Sequence, residues 1–454
     1  MTSLDHPRLS GLGRNPAAPQ DVLVRLAAHP AGRHGMAQRH GQLADAVAEA
    51  LLTHGGGDSA VRLHGDRVSA RMRRRIAGHP DPAVRDAFAD SVRGMVELGV
   101  PVGLDHLEEV HGRPRAELVR DPDPELRVAV TLAWTDRPLT VQRDLLADPD
   151  PRVRSAATQR ERPGIPPEWR ERCLADPATR AHAAAHVPLT AEQFERLLCG
   201  GDERVLHAVA GNPHLSAELT ARLLDVEDPE VRLAVARSRH ADAVTRDRLY
   251  GLVAAERAAG SVAAQVALDW SFAEPTWLRK APLADRLAFL DCPYPVFRRV
   301  LAACPDLPED AWRRLDDDPD PKVRRTAARR PDAPPRVLER LARTDDDSSS
   351  PTEPPLVDHP RFPRHLLRTF ADDPNPRVRH LALRDAELPV LVLRRLAADD
   401  DAFVRRGAAR HPRVTAELLE ALLADPDPEV ADEAAANPAL RRDGMERILT
   451  EAGL

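Results

Sequence analysis

Ala147-Asp148-Pro149-Asp150-Pro151-Arg152-Val153-Arg154-Ser155-Ala156-Ala157 stops one helix and starts the next. Proline has no backbone donor to give a helix interior, so Pro149 closes the first helix. Asp150 is then placed to cap the second, with Pro151 at its first helical position. Val153, Ala156 and Ala157 fall on one face and are the candidate core. Related phrases place Val84, Leu126, Val205, Val231, Val323, Val378, Val404 and Val430 at the Val153 position, and several neighbours lie 26 or 27 residues apart. Self-similarity at a fixed period is the mark of a repeat array, in which each unit buries its apolar face against the next.

Between the phrases runs a second helical stretch with leucine at helical spacing, such as Leu219, Leu223 and Leu224. A proline-containing corner such as Asn212-Pro213 separates it from the helix before. No strand-length alternation of β-branched residues occurs, so the expected class is all-α. With 454 residues, 42% hydrophobic and only 3% aromatic, the core should consist of thin aliphatic layers rather than one large centre. The net charge of −7 gives no overall attraction to nucleic acid or anionic membranes. Lys280 and Lys322 are the only lysines. The arginine-for-lysine bias accompanies abundant Ala, Pro and Gly and reads as coding composition, not phosphate recognition. Four dispersed cysteines suit a reducing compartment, and the lack of a leader or long apolar run favours a cytoplasmic protein with no membrane role.

Four regions are expected. Residues 1–75 read as a degenerate N-terminal repeat or cap, because a terminal repeat of a solenoid has one face turned to water. Residues 76–243 hold the first regular block. Residues 244–305 break the register and contain seven of the chain's fifteen aromatic residues, with Val262 and Val296 as candidate register positions. Residues 306–454 resume the pattern, interrupted by the acidic, proline-rich stretch 344–358 that reads as a flexible insertion, and close on a C-terminal cap at Gly444–Leu454.

The phrase Leu-x-x-Leu-Ala-Asp-Pro-Asp-Pro-x-Val-Arg, seen best at Leu145–Arg154, Leu315–Arg324, Leu396–Arg405 and Leu422–Val430, resembles the leucine-rich repeat variant family of HEAT-like solenoids. Recognisable units cover about 60% of the chain. The resemblance implies a right-handed α-solenoid of about 26-residue two-helix units, alternating α and short 3₁₀ helices. Some members of the family carry a cysteine-rich iron–sulfur segment before the repeats. Residues 1–172 contain no cysteine, so no cofactor is carried over.

Three groups of residues are candidates for function. Arg127, Arg154, Arg232, Arg324, Arg379 and Arg405 follow the apolar register residue, and stacking would align them into a stripe able to track anions or nucleic-acid phosphates. Arg85 belongs to the same ladder, and the competing structural account pairs each of Arg85, Arg127, Arg154, Arg232, Arg324 and Arg405 with the aspartate four residues earlier, a helix-supporting arrangement. Cys173, His182, His186 and Cys199 form a conceivable zinc set, since His182 and His186 share a helical face, although equal-phase cysteines also serve as small core residues. Trp270, Phe272, Trp277 and Tyr294, with Arg279 and Lys280 at the rim, are candidates for a pocket that anchors a partner protein, or for rings that fill the degraded repeats. No phosphate-binding loop, nucleophile elbow or dinucleotide fingerprint is present, and Gly55-Gly56-Gly57 lacks the following Lys-Ser/Thr. The expectation is a non-enzymatic scaffold for a macromolecular partner, most simply a protein. A nucleic-acid-binding or repair solenoid and a structural metal-binding repeat protein are the alternatives.

Overall fold

The computed structural model describes residues 6–97, 104–159, 162–269, 274–344 and 355–454. All regular structure among these residues is helical, and the helices are short, commonly six to ten residues. Isolated helices of that length are marginal in water, so their stability comes from stacking. The caps are those the phrase implies. Asp123, Asp150, Asp228, Asp320, Asp401 and Asp427 accept backbone N–H groups at the starts of their helices, and Asn375 does the same before Pro376–Ala382. Each such cap is worth about 1 kcal/mol. Val153, Val231, Val323, Val404 and Val430 are fully buried, as are Ala157, Val235, Ala327, Ala408 and Ala434 one turn later, while Ala234 is only half-buried.

The chain divides into two compact units, residues 116–330 and a discontinuous unit of residues 1–115 and 331–454. In the first, the helices Pro124–Ala133, Pro151–Thr158, Arg180–His186, Glu203–Ala210 and Pro229–Arg237 pack on one another in sequence order. Second helices such as Leu139–Leu146 and Ala191–Leu198 cover one side of that row. Most are α-helical; 3₁₀ segments occur at Leu223–Asp225, Thr276–Lys280 and Ala288–Asp291, where the pattern loosens, and at Arg364–Asp372 in the other unit. Val262 is exposed and Val296 half-buried, so neither is a register residue. Ala264 and Phe297 occupy the core instead.

In the discontinuous unit the terminal faces are not turned to water as the sequence suggested. Helix Pro7–Arg14 lies between Pro30–Gln38 and Pro428–Ala436, so the first repeat stacks on the last. Asn15 Nδ2 donates to the carbonyls of Ala435 (2.9 Å) and Asn437 (2.7 Å). Asn437 Nδ2 in turn donates to those of Ala409 (2.7 Å) and His411 (3.3 Å). The first repeat thus engages the last as the last engages the one before it. The approach requires glycine: a Cβ on Gly11 would lie 1.9 Å from the Asp432 carbonyl oxygen, and one on Gly35 would lie 1.9 Å from that of Ser10. Arg14–Asp432, Arg442–Asp21 and Arg25–Glu446 (2.6 Å) ion pairs surround the contact. Residues 345–354, the heart of the acidic insertion, lie outside the described residues.

Candidate functional site

The repeated arginines are inter-repeat fasteners. Arg127 Nη1 donates to the carbonyls of Asp121 (2.8 Å) and Pro122 (3.2 Å), tying down the end of its own loop. Its Nε and Nη2 donate to the two carboxylate oxygens of Asp148, 2.9 and 2.8 Å away, in the next repeat. Arg154 repeats this with Asp176, Arg379 with Asp399 and Arg405 with Asp425. Arg232 pairs with Glu256, and Arg324 holds the carbonyls of Asp318 and Pro319. The ion pairs therefore run between repeats, twenty or more residues apart, and not to the aspartate four residues earlier, which is occupied as an N-cap. The aspartate at the start of each Asp-Pro-Asp-Pro phrase has the other role. Asp148 Oδ1 also accepts the Asp150 N–H at 2.8 Å, so one carboxylate shapes the turn and receives the guanidinium. The guanidiniums hold the Asp399 and Asp425 carboxyls below their usual range, and Asp148 beside Arg127 raises that arginine further. In Arg127, Arg154, Arg379 and Arg405 the Nε/Nη2 edge is filled by a carboxylate and Nη1 by two loop carbonyls, which leaves no bidentate edge for a phosphate.

One fastener escaped the sequence reading. Arg298, on helix Pro295–Ala302, donates to both oxygens of Asp318 (2.7 and 3.0 Å) and to the Cys292 carbonyl. Its phrase is Cys292-Pro293-Tyr294-Pro295-Val296-Phe297-Arg298, which keeps both prolines and the arginine while replacing the aspartates by Cys and Tyr and the valine by Phe.

The aromatic window is packed on itself. Tyr250 and Tyr294 stack with centroids 3.7 Å apart, and the Tyr294 hydroxyl donates to Asp247 (2.9 Å). Phe289 stacks on Phe297 and meets Trp277 edge-on at 5.7 Å. Arg246 covers both phenylalanine rings at 4.9 and 4.7 Å while donating to the Ala236 and Ala241 carbonyls. The Trp277 indole N–H donates to the Arg237 carbonyl at 2.8 Å. Burial and the neighbouring Asp247 raise the Tyr294 phenol. Arg279 pairs with Glu274 at 2.9 Å, and Lys280 is exposed. Trp270 and Phe272 lie outside the described residues. Trp277 thus spends its indole N–H within the fold, while the half-buried Tyr294 stacks on Tyr250 and turns its hydroxyl to the exposed Asp247.

Exposed apolar groups concentrate in the same window. Val244, Leu252, Val262, Val266 and Leu283 are five of the nine large apolar side chains exposed among the described residues, with Val244 and Val262 at 78% and 72%. Most sit on helices Ala243–Ala258 and Val262–Asp269, which pack against each other.

Cys173 is buried, and that burial raises its thiol; Cys199 is exposed. Among the described residues, Cys173, His182, His186 and Cys199 supply no three ligand atoms within 4.8 Å of one another. Glu203, His207 and Asp228 do, a grouping the sequence reading missed because it needs two adjoining repeats. His207 Nε2 lies 3.1 Å from Asp228 Oδ1, the same oxygen that accepts the Val231 N–H. That oxygen already has a structural role as a cap, and a histidine partner completes it.

The fold and these contacts define an all-α repeat protein, assembled from units that clasp their neighbours by arginine and asparagine. Residues 321–347, one unit of this array, match the leucine-rich repeat variant family. No curated protein sequence matches the chain. Among solved structures, a crystal structure of an engineered protein aligns over 99% of each chain with 14% identity and a TM-score of 0.16.

Proposed function

We propose that the protein is a non-enzymatic scaffold that docks another protein on the outer surfaces of helices Ala243–Ala258 and Val262–Asp269. The observation that carries this reading is the gathering of exposed valine and leucine in the one window where the repeat phrase is degraded. Elsewhere among the described residues only Val61, Leu139, Leu391 and Phe403 are large, apolar and exposed, and solvent-facing aliphatic groups gathered in one place cost free energy that a partner recovers by covering them. The aromatic cluster beneath makes this platform rigid, so little ordering is needed on docking. The soft spot of the sequence pattern is, on this reading, the functional surface.

The test is capture of native partners by the wild-type chain, by Val262→Asp/Val266→Asp, and by Leu391→Asp as a control at an equally exposed site outside the window. The double variant should lose a protein that the other two retain. Identical partner sets for all three would overturn the reading.

A further inference from the structure

The arginine fasteners share one geometry, and at Arg33 that geometry is incomplete beside a cavity. Arg33, on helix Pro30–Gln38, donates from Nη1 to the carbonyls of Ala27 (2.9 Å) and Ala28 (3.1 Å), six and five residues before it. Those are the offsets at which Arg127, Arg154, Arg324, Arg379 and Arg405 hold their own loops. Arg127, Arg154, Arg379 and Arg405 then complete the fork with an aspartate twenty to twenty-two residues onward. Within that interval after Arg33 stands Gly55, and a Cβ built on Gly55 would lie 3.1 Å from Arg33 Cδ. The chain passes the right place and brings no carboxylate to it. Among the described residues Arg33 has no ion-pair partner.

A cavity of about 450 Å³ lies there, within the size range of small-molecule sites. Arg33, Arg62 and Arg67 line it, facing the single carboxylate of Asp58, with Met36 and Leu63 among the apolar walls. Asp58 forms no ion pair with any of the three among the described residues. Arg67 donates to the Met36 and Ala37 carbonyls at 2.7 and 2.5 Å, while its Nε is buried with no hydrogen-bond partner. The Arg62 side chain is exposed and makes no hydrogen bond or ion pair among the described residues. Burial, reinforced by Arg62, lowers the Arg67 guanidinium. Three guanidiniums against one carboxylate leave the lining more positive than it neutralises.

We propose that this cavity binds a small anion carrying a carboxylate or phosphate group, which occupies the position that an aspartate fills beside Arg127, Arg154, Arg379 and Arg405. The anion accepts the Arg33 fork and is held by Arg62. The apolar wall receives whatever carbon skeleton the anion carries. Binding would close the open fastener between the repeats that Arg33 and Gly55 belong to, stiffening this part of the chain when the anion is present.

The test is isothermal titration calorimetry with citrate and, separately, inorganic phosphate at low ionic strength, where charge recognition is least screened. Wild type should bind at least one of them saturably. Binding of citrate alone identifies carboxylates as the ligand class, and binding of phosphate alone identifies phosphates. Arg62→Glu should weaken binding at least tenfold, whereas Arg336→Glu, an exposed charge reversal elsewhere, should leave it unchanged. If circular dichroism shows Arg62→Glu to be misfolded, Arg62→Gln replaces it with the same expectation. Absence of saturable binding for both anions overturns the proposal, as does equal weakening by the Arg62 and Arg336 variants or unaltered binding in the Arg62 variant.

Discussion

Arg298→Met is the substitution that best measures what the inter-repeat fastener contributes. Methionine preserves most of the aliphatic volume and removes the guanidinium. Three charge-assisted hydrogen bonds go with it: two to Asp318 and one to the Cys292 carbonyl. The side chains of Arg298 and Asp318 are only 9% and 4% exposed, so water cannot replace the lost partner. Breaking such a pair from one side costs about 3 to 5 kcal/mol, because the remaining carboxylate is buried without its cation. Arg447→Met is the contrast. Arg447 makes two hydrogen bonds to Glu420, 2.6 and 2.7 Å long, yet both side chains are about half exposed, and pairs of that kind contribute about 0 to 1 kcal/mol.

Urea unfolding followed by circular dichroism compares the two. Stacked repeats need not unfold in a single step, so amide exchange across Pro295–Ala302 and Pro321–Ala328 gives the local reading. Adding Asp318→Leu to Arg298→Met should recover a large part of the loss, since an apolar pair in place of a buried ion pair is often neutral. Recovery stops short of complete because Asp318 Oδ1 also accepts the Asp320 N–H at 2.9 Å. The reasoning fails if Arg298→Met costs no more than Arg447→Met, or if the double variant is as unstable as the sum of its parts.

Gly11→Ala should lower the melting temperature. Helix propensity alone predicts a gain of about 1 kcal/mol, but the methyl would collide with the Asp432 carbonyl, and overpacking costs about 1 to 3 kcal/mol; an unchanged or raised melting temperature refutes the close contact. Asn15→Ala and Asn437→Ala each strand two buried carbonyls and should destabilise by similar amounts, about 1 to 3 kcal/mol, when measured by urea unfolding. A negligible effect at Asn15 alone would mean that the first and last repeats do not stack as neighbours. Burial against Phe403 lowers His380 to about 4, so folding favours its neutral form. Its contribution is complete above about pH 6.5 and declines as pH falls toward 4, by about 3 kcal/mol at most. His380→Gln should flatten that part of the stability profile relative to wild type, while leaving the further loss below about pH 4 as the fastened carboxylates Asp399 and Asp425 protonate.

The parts of this fold that sequence reading recovers are those governed by local rules. Pro149, Asp150 and Pro151 specify a stop, a cap and a start within four residues, so the helices and their buried valines follow directly. Partners twenty residues away obey no such rule. Asp150 stands four residues before Arg154 and invites a pairing that its capping role precludes, because its oxygen is committed to the Arg152 N–H. Arg154 reaches Asp176 because stacking, not helical periodicity, sets its neighbours. Arg298 is hidden for a different reason: Phe297, Tyr294 and Cys292 alter every position by which the eye finds the phrase, yet the two prolines still set the backbone, and the backbone places the arginine. The same distinction separates the two candidate surfaces. The exposed valines near residue 262 are visible as a failure of the pattern, whereas the incomplete fastener at Arg33 follows Ala27-Ala28-His29-Pro30-Ala31-Gly32, which keeps only one proline of the phrase and gives no sign of it. It is revealed only by what Gly55 fails to bring to it, and a missing partner can be recognised only where the geometry of the complete pair is known.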